Sequence, residues 1–363
     1  MNNWVHTVTQ RLQAVLAMWA PPRPGPIPVD QQATLDAPAA PAAPAAPAAY
    51  AAPAALEPLP AATPPPVAPP AQAWQASHTV QGPWAVAAGT WVGRRHAQHG
   101  LLCEDTAAWR ITPGGAAHLV VADGVSSGAR GDVASAALAS HVLALEPAYL
   151  MPADLSAASP TLGPGESAQD ALAQQVLASD AVVQAALAAA SPGRSGAATF
   201  AAVWLDAQGQ GWYSRVGDCR LYRWRWQRGV GGRPALTLTQ ASQDQTFVAL
   251  GEPPPPGVPP YNPARMVGNG CIGAPEVLAL QLAAGDGLLL CSDGVHDVLS
   301  VEVLQRVVAH GLQRGRPLQS VARLLARLAR SSGSRDDIGI AMAVYQPGGA
   351  SPASPATPTT NRH

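Results

Sequence analysis

The chain has 363 residues, a formal net charge of −1 and only 12% charged residues. With no basic field, a polybasic membrane patch or an electrostatic nucleic-acid platform is excluded. The sequence contains no lysine, which excludes a P-loop lysine and any Schiff-base lysine and leaves Arg, backbone N–H or metal to hold phosphate.

Trp4, Val8, Leu12, Val15, Leu16 and Trp19 recur at helical spacing, with Arg11 and Gln13 on the other side. This predicts an amphipathic helix over 1–20, read either as a docking element or as a terminus without function. It lacks the basic start and small-residue cleavage site of a signal peptide. Residues 21–70 hold 17 of the 38 prolines, so 21–75 is expected to be an extended linker that buries no core. The tail from 346 to 363 is similar in composition. What remains, 76–345, suits one large α+β domain.

Within that domain AVAAGTWV at 85–92 reads as the opening strand. The loop GRRHAQHGLLCED follows, then a strand at 118–122 and a glycine-bearing turn, DGVSSGARGD. Helices are expected at 132–145, with Asp132 near the positive end, and at 168–190. Strands follow at 198–205, 211–216 and 220–226, the first two joined through AQGQG. The stretch 240–272 is rich in Pro and Gly and reads as a mobile flap or lid. Strands at 276–282 and 287–292, helices at 301–311 and 317–330, and a strand at 338–345 complete the core. No stretch reaches the length of a membrane span. Short strand-to-strand turns imply antiparallel pairing, and the regular β-α-β-α alternation of a doubly wound sheet is absent. Two antiparallel sheets packed face to face, with helix pairs outside, satisfy this order. GVSSGARG lacks the spacing of a dinucleotide fingerprint. RLYRWRWQR at 220–228 alternates as a solvated strand face would, which is preferred over a nucleic-acid platform.

Four acidic motifs sit at the ends of apolar runs: HLVVADG at 118–124, YSRVGD at 213–218, GLLLCSDG at 287–294 and SRDDIGIAMAVY at 334–345. Asp123, Asp218, Asp293 and Asp336 are therefore placed where strand ends could converge. Clustered carboxylate oxygens suit Mg²⁺ or Mn²⁺. Cys103, Cys219, Cys271 and Cys291 are scattered without a C-x-x-C pair, which argues against zinc and for a reducing, cytoplasmic setting. No Cys-x5-Arg loop is present.

These blocks together resemble the PP2C (PPM) family of metal-dependent protein Ser/Thr phosphatases. VVADGVSSGARGDVASAALA, VGDCRLYRW, LLLCSDGVHDVLS, SRDDIGIAM and GLLCEDTA are similar to the family's motifs and stand in its order. The pattern GTWVGRRHAQHGLLCED looks most like a bacterial branch.

The resemblance implies an α/β/β/α sandwich with a metal site at one end of the sheets. It implies two bound Mn²⁺ or Mg²⁺ ions, with a third, weaker one. Asp123 would bridge two ions, with Gly124 adding its carbonyl. Asp293 and Asp336 would hold one ion, Glu104 and Asp105 would lie around the other, and Asp218 and Asp297 match the third site. Asp123, Asp293 and Asp336 would then act through a metal-activated water on phosphoserine or phosphothreonine. The implied partners are a phosphoprotein substrate and a cognate Ser/Thr kinase, with no nucleic acid and no membrane span, and the protein a monomer. The alternative is a weak or inactive pseudophosphatase serving as a binding or scaffold module.

The match departs at several positions. Gly100 stands where many relatives carry a phosphate-gripping Arg, and Gly128, after Ser126 and Ser127, where common bacterial members carry a His. His96 takes the aligned position in the bacterial branch, as a phosphate or acid group or as a structural histidine. Arg130 is read as a helix-start residue in preference to a phosphate contact. Asp337 replaces the usual Asn and is expected to neighbour the ligands.

Overall fold

The computed structural model describes residues 74–125, 130–147, 167–229 and 234–348. The expected helix at 1–20, nearly all of the 21–75 linker, most of the tail after 346 and the turn residues Ser126, Ser127 and Gly128 lie outside them.

Two antiparallel sheets form the centre. One has six strands in the order β1-β2-β11-β10-β7-β8, the other five in the order β3-β4-β5-β6-β9. In chain order these are β1 (Gln75–Gln81), β2 (Trp84–Trp91), β3 (Asp105–Ile111), β4 (Ala117–Val125), β5 (Ala197–Leu205), β6 (Gln210–Val216), β7 (Arg220–Arg228), β8 (Pro234–Gln240), β9 (Glu276–Gln281), β10 (Gly287–Cys291) and β11 (Ile338–Tyr345). The helices are α1 (Arg94–Gln98), α2 (Gly131–Ala144), α3 (Ala168–Leu177), α4 (Ser179–Ala190), α5 (Phe247–Leu250), α6 (Asp293–His296), α7 (Val301–Gln313) and α8 (Leu318–Ser331).

Strand periodicity explains the layering. Successive side chains point to opposite faces, and β4 is buried on both. Leu119 and Val121 enter the core between the sheets, beside Trp84, Leu221, Leu288 and Leu290. Val120 and Ala122 face the other way, onto Leu138, Val142, Leu172, Val183 and Leu187 of α2, α3 and α4. On the outside of the six-stranded sheet α8 packs on β2 and β11, and α7 on β8. The result is the expected α/β/β/α sandwich of two antiparallel sheets.

The expected helix at 168–190 is broken at Ala178 into α3 and α4. Together, Ala168–Ala190 is long and apolar enough by composition to cross a membrane, contrary to the expectation that no stretch would be. Leu172, Val176, Val183 and Leu187 are buried against the five-stranded sheet, while Val182 is exposed, so one face of the pair packs on the domain. Strands β1, β3 and β8 are additional elements, as are the short helices α5 and α6, and α1 within the expected loop at 93–105.

The 240–272 segment is held by specific bonds. Gln245 donates its N–H to the Gly217 carbonyl at 2.9 Å and accepts from the Gly217 N–H at 2.8 Å through its side chain. Asp180 at the start of α4 accepts from the N–H groups of Gly268 and Gly270 at 2.6 and 3.2 Å. A backbone bridge joins Val267 to Ala198.

Close backbone approach fixes the acidic end of the sheets. A Cβ built on Gly294 would lie 1.8 Å from the Asp337 carbonyl oxygen. Because that neighbour is main chain at the head of β11, relief requires the two segments to separate. Gly294→Ala is expected to destabilise the domain by about 1–3 kcal/mol, as overpacking commonly does. A urea midpoint equal to that of the unsubstituted protein would refute the constraint.

Candidate active site

Antiparallel connectivity brings the acids together. Asp123 lies near the C-terminal end of β4 and Asp105 opens β3, and the two are register partners. Asp218 follows β6, which runs in the same direction as β4 because β5 lies antiparallel between them. Asp293 follows β10, and Asp336 precedes β11, the antiparallel partner of β10. All five therefore sit at one end of the two sheets. A direct bond ties the sheets there: Ser292 Oγ donates to Asp105 Oδ2 at 2.6 Å, and the Gly339 N–H donates to Ser292 Oγ at 2.9 Å.

The acids form one electrostatic group. Asp105 and Asp218 are buried, Asp123 and Asp293 half-buried, and Asp336 and Asp297 exposed. Desolvation holds the Asp105, Asp123 and Asp293 carboxyls well above the usual carboxylate range, and repulsion adds to it. Asp293, Asp105, Asp218 and Asp336 all act on Asp123. Burial pushes Asp218 up to about 6, against the pull of His296. Asp297 goes the other way, because the His296 ring, with Nδ1 3.3 Å from its carboxyl, lowers it.

The donor set is chemically suited to a hard divalent cation, which would offset this repulsion. Among the described residues no three acids, imidazoles or thiols are drawn around one point closely enough to form a finished cage. The fit rests on donor type and shared field.

The other sequence-derived candidates fall around this group. The Gly124 N–H donates to the Glu104 carbonyl at 3.0 Å, and a Cβ on Gly124 would lie 2.4 Å from the Gly131 carbonyl oxygen and 2.7 Å from that of Glu104. His96, in α1, is recessed to 4% exposure and contacts Asp337 and Glu104. Arg130 is engaged by Asp132 at 2.9 and 3.0 Å and by Ser191 at 2.6 Å, as befits a helix-start residue. Arg220 forks onto Asp244 at 2.9 and 2.6 Å.

Three supporting residues escaped the sequence reading. Ser292 holds Asp105. His296 is buried, with Nε2 3.1 Å from the Asp218 carbonyl and Nδ1 3.3 Å from Asp297. Gln245 clamps Gly217, the neighbour of Asp218. Ser292 and His296 lie inside the CSDGVHD motif, so attention to its non-acidic letters would have found them; Gln245 carries no such signal. A cleft of about 490 Å³ lined by Thr112, Glu146, Asp206 and Gln208, among others, lies at the opposite, hairpin end of the five-stranded sheet, away from the acids.

A carboxyl with a raised folded-state pKa keeps its proton after the unfolded chain has released it. Folded stability is then lost as pH rises through the interval between the two values. For Asp218 that interval runs from 3.8 to about 6, a cost on the order of 3 kcal/mol; the raised carboxyls of Asp105, Asp123 and Asp293 act in the same direction. In EDTA the melting temperature is expected to fall as pH rises across this interval. Asp218→Asn should flatten the fall and melt higher than the unsubstituted protein at pH 7. Thermal melts of both across the interval decide the point, and a lower-melting Asn variant at pH 7 would contradict it.

The family model for protein phosphatase 2C matches residues 92–332. Among solved structures, the S. agalactiae serine/threonine phosphatase has a TM-score of 0.52 at 18% identity, covering 76% of this chain and 100% of that one. Serine/threonine phosphatase Stp1 from Staphylococcus aureus has a TM-score of 0.51 at 18% identity, covering 76% and 96%. At these identities the likeness is one of fold. No curated protein matches the chain. The family match spans well over half of the sequence and contains Asp105, Asp123, Asp218 and Asp293, with Asp336 just beyond it, and the chain belongs to the protein phosphatase 2C family.

Proposed function

We propose that this protein hydrolyses phosphoserine and phosphothreonine monoesters of proteins with the help of two bound divalent cations, Mn²⁺ or Mg²⁺, and a third held more weakly. The observation that carries this reading is the gathering of Asp105, Asp123, Asp218, Asp293 and Asp336 at one end of the sheets, where they share one field.

In this reading Asp123 and the Gly124 carbonyl, with Asp293 and Asp336, hold the principal cations. Glu104 and Asp105 complete their surroundings, and Asp218 and Asp297 form the weaker site. When bound, such cations supply Lewis-acid charge at the phosphoryl oxygens and acidify a water. The chain's own part is to hold the acids rigidly. Ser292 fixes the Asp105 carboxylate, and His296 joins the Asp218 backbone to Asp297. Partial burial lowers the local dielectric, which strengthens every charge interaction with a phosphoryl group. Exposed Asp336 and Asp297 leave the acidic end open to a phosphorylated side chain.

The substrate class is a phosphoprotein, the partner a cognate Ser/Thr kinase in bacterial signalling, the acting species a monomer and the setting cytoplasmic. The pseudophosphatase alternative is not favoured, because the acid set is retained whole. The full-length chain should release phosphate from a phosphopeptide or p-nitrophenyl phosphate with Mn²⁺, and not with EDTA. Asp293→Asn should lower kcat/KM at least about 100-fold, since charge stabilisation of this type carries losses of that order. Metal-independent turnover, or full activity in the Asp293→Asn variant, would overturn the proposal.

A further inference from the structure

Asp337 lies beside the acid group without being spent on it. It is 2% exposed, and both of its carboxylate oxygens are engaged by the protein. Oδ1 accepts from the Gly93 N–H at the head of α1. Oδ2 accepts from the Glu104 N–H at 2.5 Å and lies 2.8 Å from His96 Nδ1. The same imidazole turns Nε2 towards the Glu104 carboxylate, 3.6 Å from Oε2, with Arg95 Nη2 3.5 Å from the same nitrogen. The ring therefore stands between two carboxylates, one on each side, and is almost closed to solvent. Glu104 in turn accepts the Gly124 N–H on its carbonyl, next to Asp123. The buried Asp337 carboxylate thus ties together Gly93, His96 and the Glu104 backbone, and sets the imidazole beside the Glu104 side chain.

This arrangement does not suit a histidine that meets substrate. A nitrogen offered to a phosphoryl group would first have to leave Asp337 or Glu104 and emerge from a recess. It does suit a support behind a cation-holding carboxylate, where an outer partner fixes a ligand's orientation.

We propose that His96 and Asp337 form a positioning pair that aims Glu104 at a divalent cation, and that His96 makes no contact with the phosphoryl group. The inference rests on the metal-dependent reading above, which places Glu104 near a cation. Its test is direct metal binding, separate from turnover. Full-length protein freed of metal would be titrated with Mn²⁺ by calorimetry, as the unsubstituted chain and as His96→Ala, His96→Asn, Asp337→Asn and His96→Ala/Asp337→Asn. KM and kcat for p-nitrophenyl phosphate would be measured at saturating Mn²⁺.

The single variants His96→Ala and Asp337→Asn should each weaken Mn²⁺ binding about tenfold or more, the usual scale for an outer partner of a metal ligand. The double variant should be no weaker than the worse single, because the two residues act as one unit. His96→Asn, whose amide can replace the Nδ1–H donor to Asp337, should recover most of the loss. KM should stay within about twofold of the unsubstituted value, because uniform substrate binding is untouched. Metal-free melting of each variant shows whether it is folded; if His96→Ala is not, His96→Asn and Asp337→Asn still carry the comparison. Unchanged Mn²⁺ affinity in Asp337→Asn, or in His96→Asn a large rise in KM with metal affinity intact, would overturn the positioning role. If the unsubstituted chain binds no Mn²⁺ at all, the metal-dependent reading fails first and takes this inference with it.

Discussion

Like charges held at the meeting point of two sheets are the constraint around which this molecule is arranged. Carboxylates repel one another, and partial burial raises the cost of keeping each ionised. Left to local preference they would spread into solvent, as most surface acids do. Here strand direction decides otherwise. Asp123 and Asp105 are fixed by a shared register, Asp293 and Asp336 by the β10–β11 pair, and Asp218 by its place after β6. The cores on both faces of the five-stranded sheet stabilise the frame that imposes this geometry. Apolar burial therefore maintains an electrostatic arrangement that the acids themselves oppose.

The backbone between these strands is correspondingly tight. Gly124 approaches the carbonyls of Gly131 and Glu104, and Gly294 approaches that of Asp337. Each glycine follows an acid of the group, and neither position has room for a Cβ. The ADG and SDG letters thus have two physical contents, a carboxylate and a close approach by the residue after it. The second keeps the first from drifting, because an exposed acid on a loop with side-chain room would relax away from its neighbours.

The placement of Asp123, Asp218, Asp293 and Asp336 was legible because each ends or begins a strongly patterned apolar run, whereas Asp105 opens a strand of half-buried residues with no such pattern. The strand at 338–345 emerges with the same limits in sequence and structure, since eight buried residues leave no ambiguity of period. The two-sheet arrangement could be argued from strand order and short turns, and the layer assignment came with the family resemblance. Other parts carried weaker signals. In β8, Leu236 and Leu238 are buried between exposed or half-exposed neighbours, a real alternation masked by its short length and leading proline. The four residues of α5 are capped by Thr246, whose side chain accepts from the Ala249 N–H, too short a run for periodicity to show. The 240–272 segment looked unstructured because its order comes from Gln245 and Asp180, which reach backbone N–H groups distant in sequence. Such bonds leave no local pattern. The partners of Ser292, His296 and Asp337 are likewise tertiary facts, set by distant segments, although the CSDGVHD motif marks the first two residues themselves.

A chain without lysine must manage anionic chemistry with arginine, and three arginines around the acidic end are committed to carboxylates. Arg220 is held by Asp244, Arg130 by Asp132 and Ser191, and buried Arg215 by Glu276 and the Gly217 carbonyl. A planar guanidinium pairs with a carboxylate in a fixed fork, so each such pair also braces the strand or loop that bears it. Arg215 does this next to Gly217 and Asp218. Arg220 ties β7 to the segment that carries Gln245. Positive charge is thus built into the walls of the site, where it steadies the VGD turn. In the proposed reaction this division of labour puts the neutralisation of phosphoryl charge on the cations gathered by the acids, and leaves these arginines to brace the strands and loops beside them.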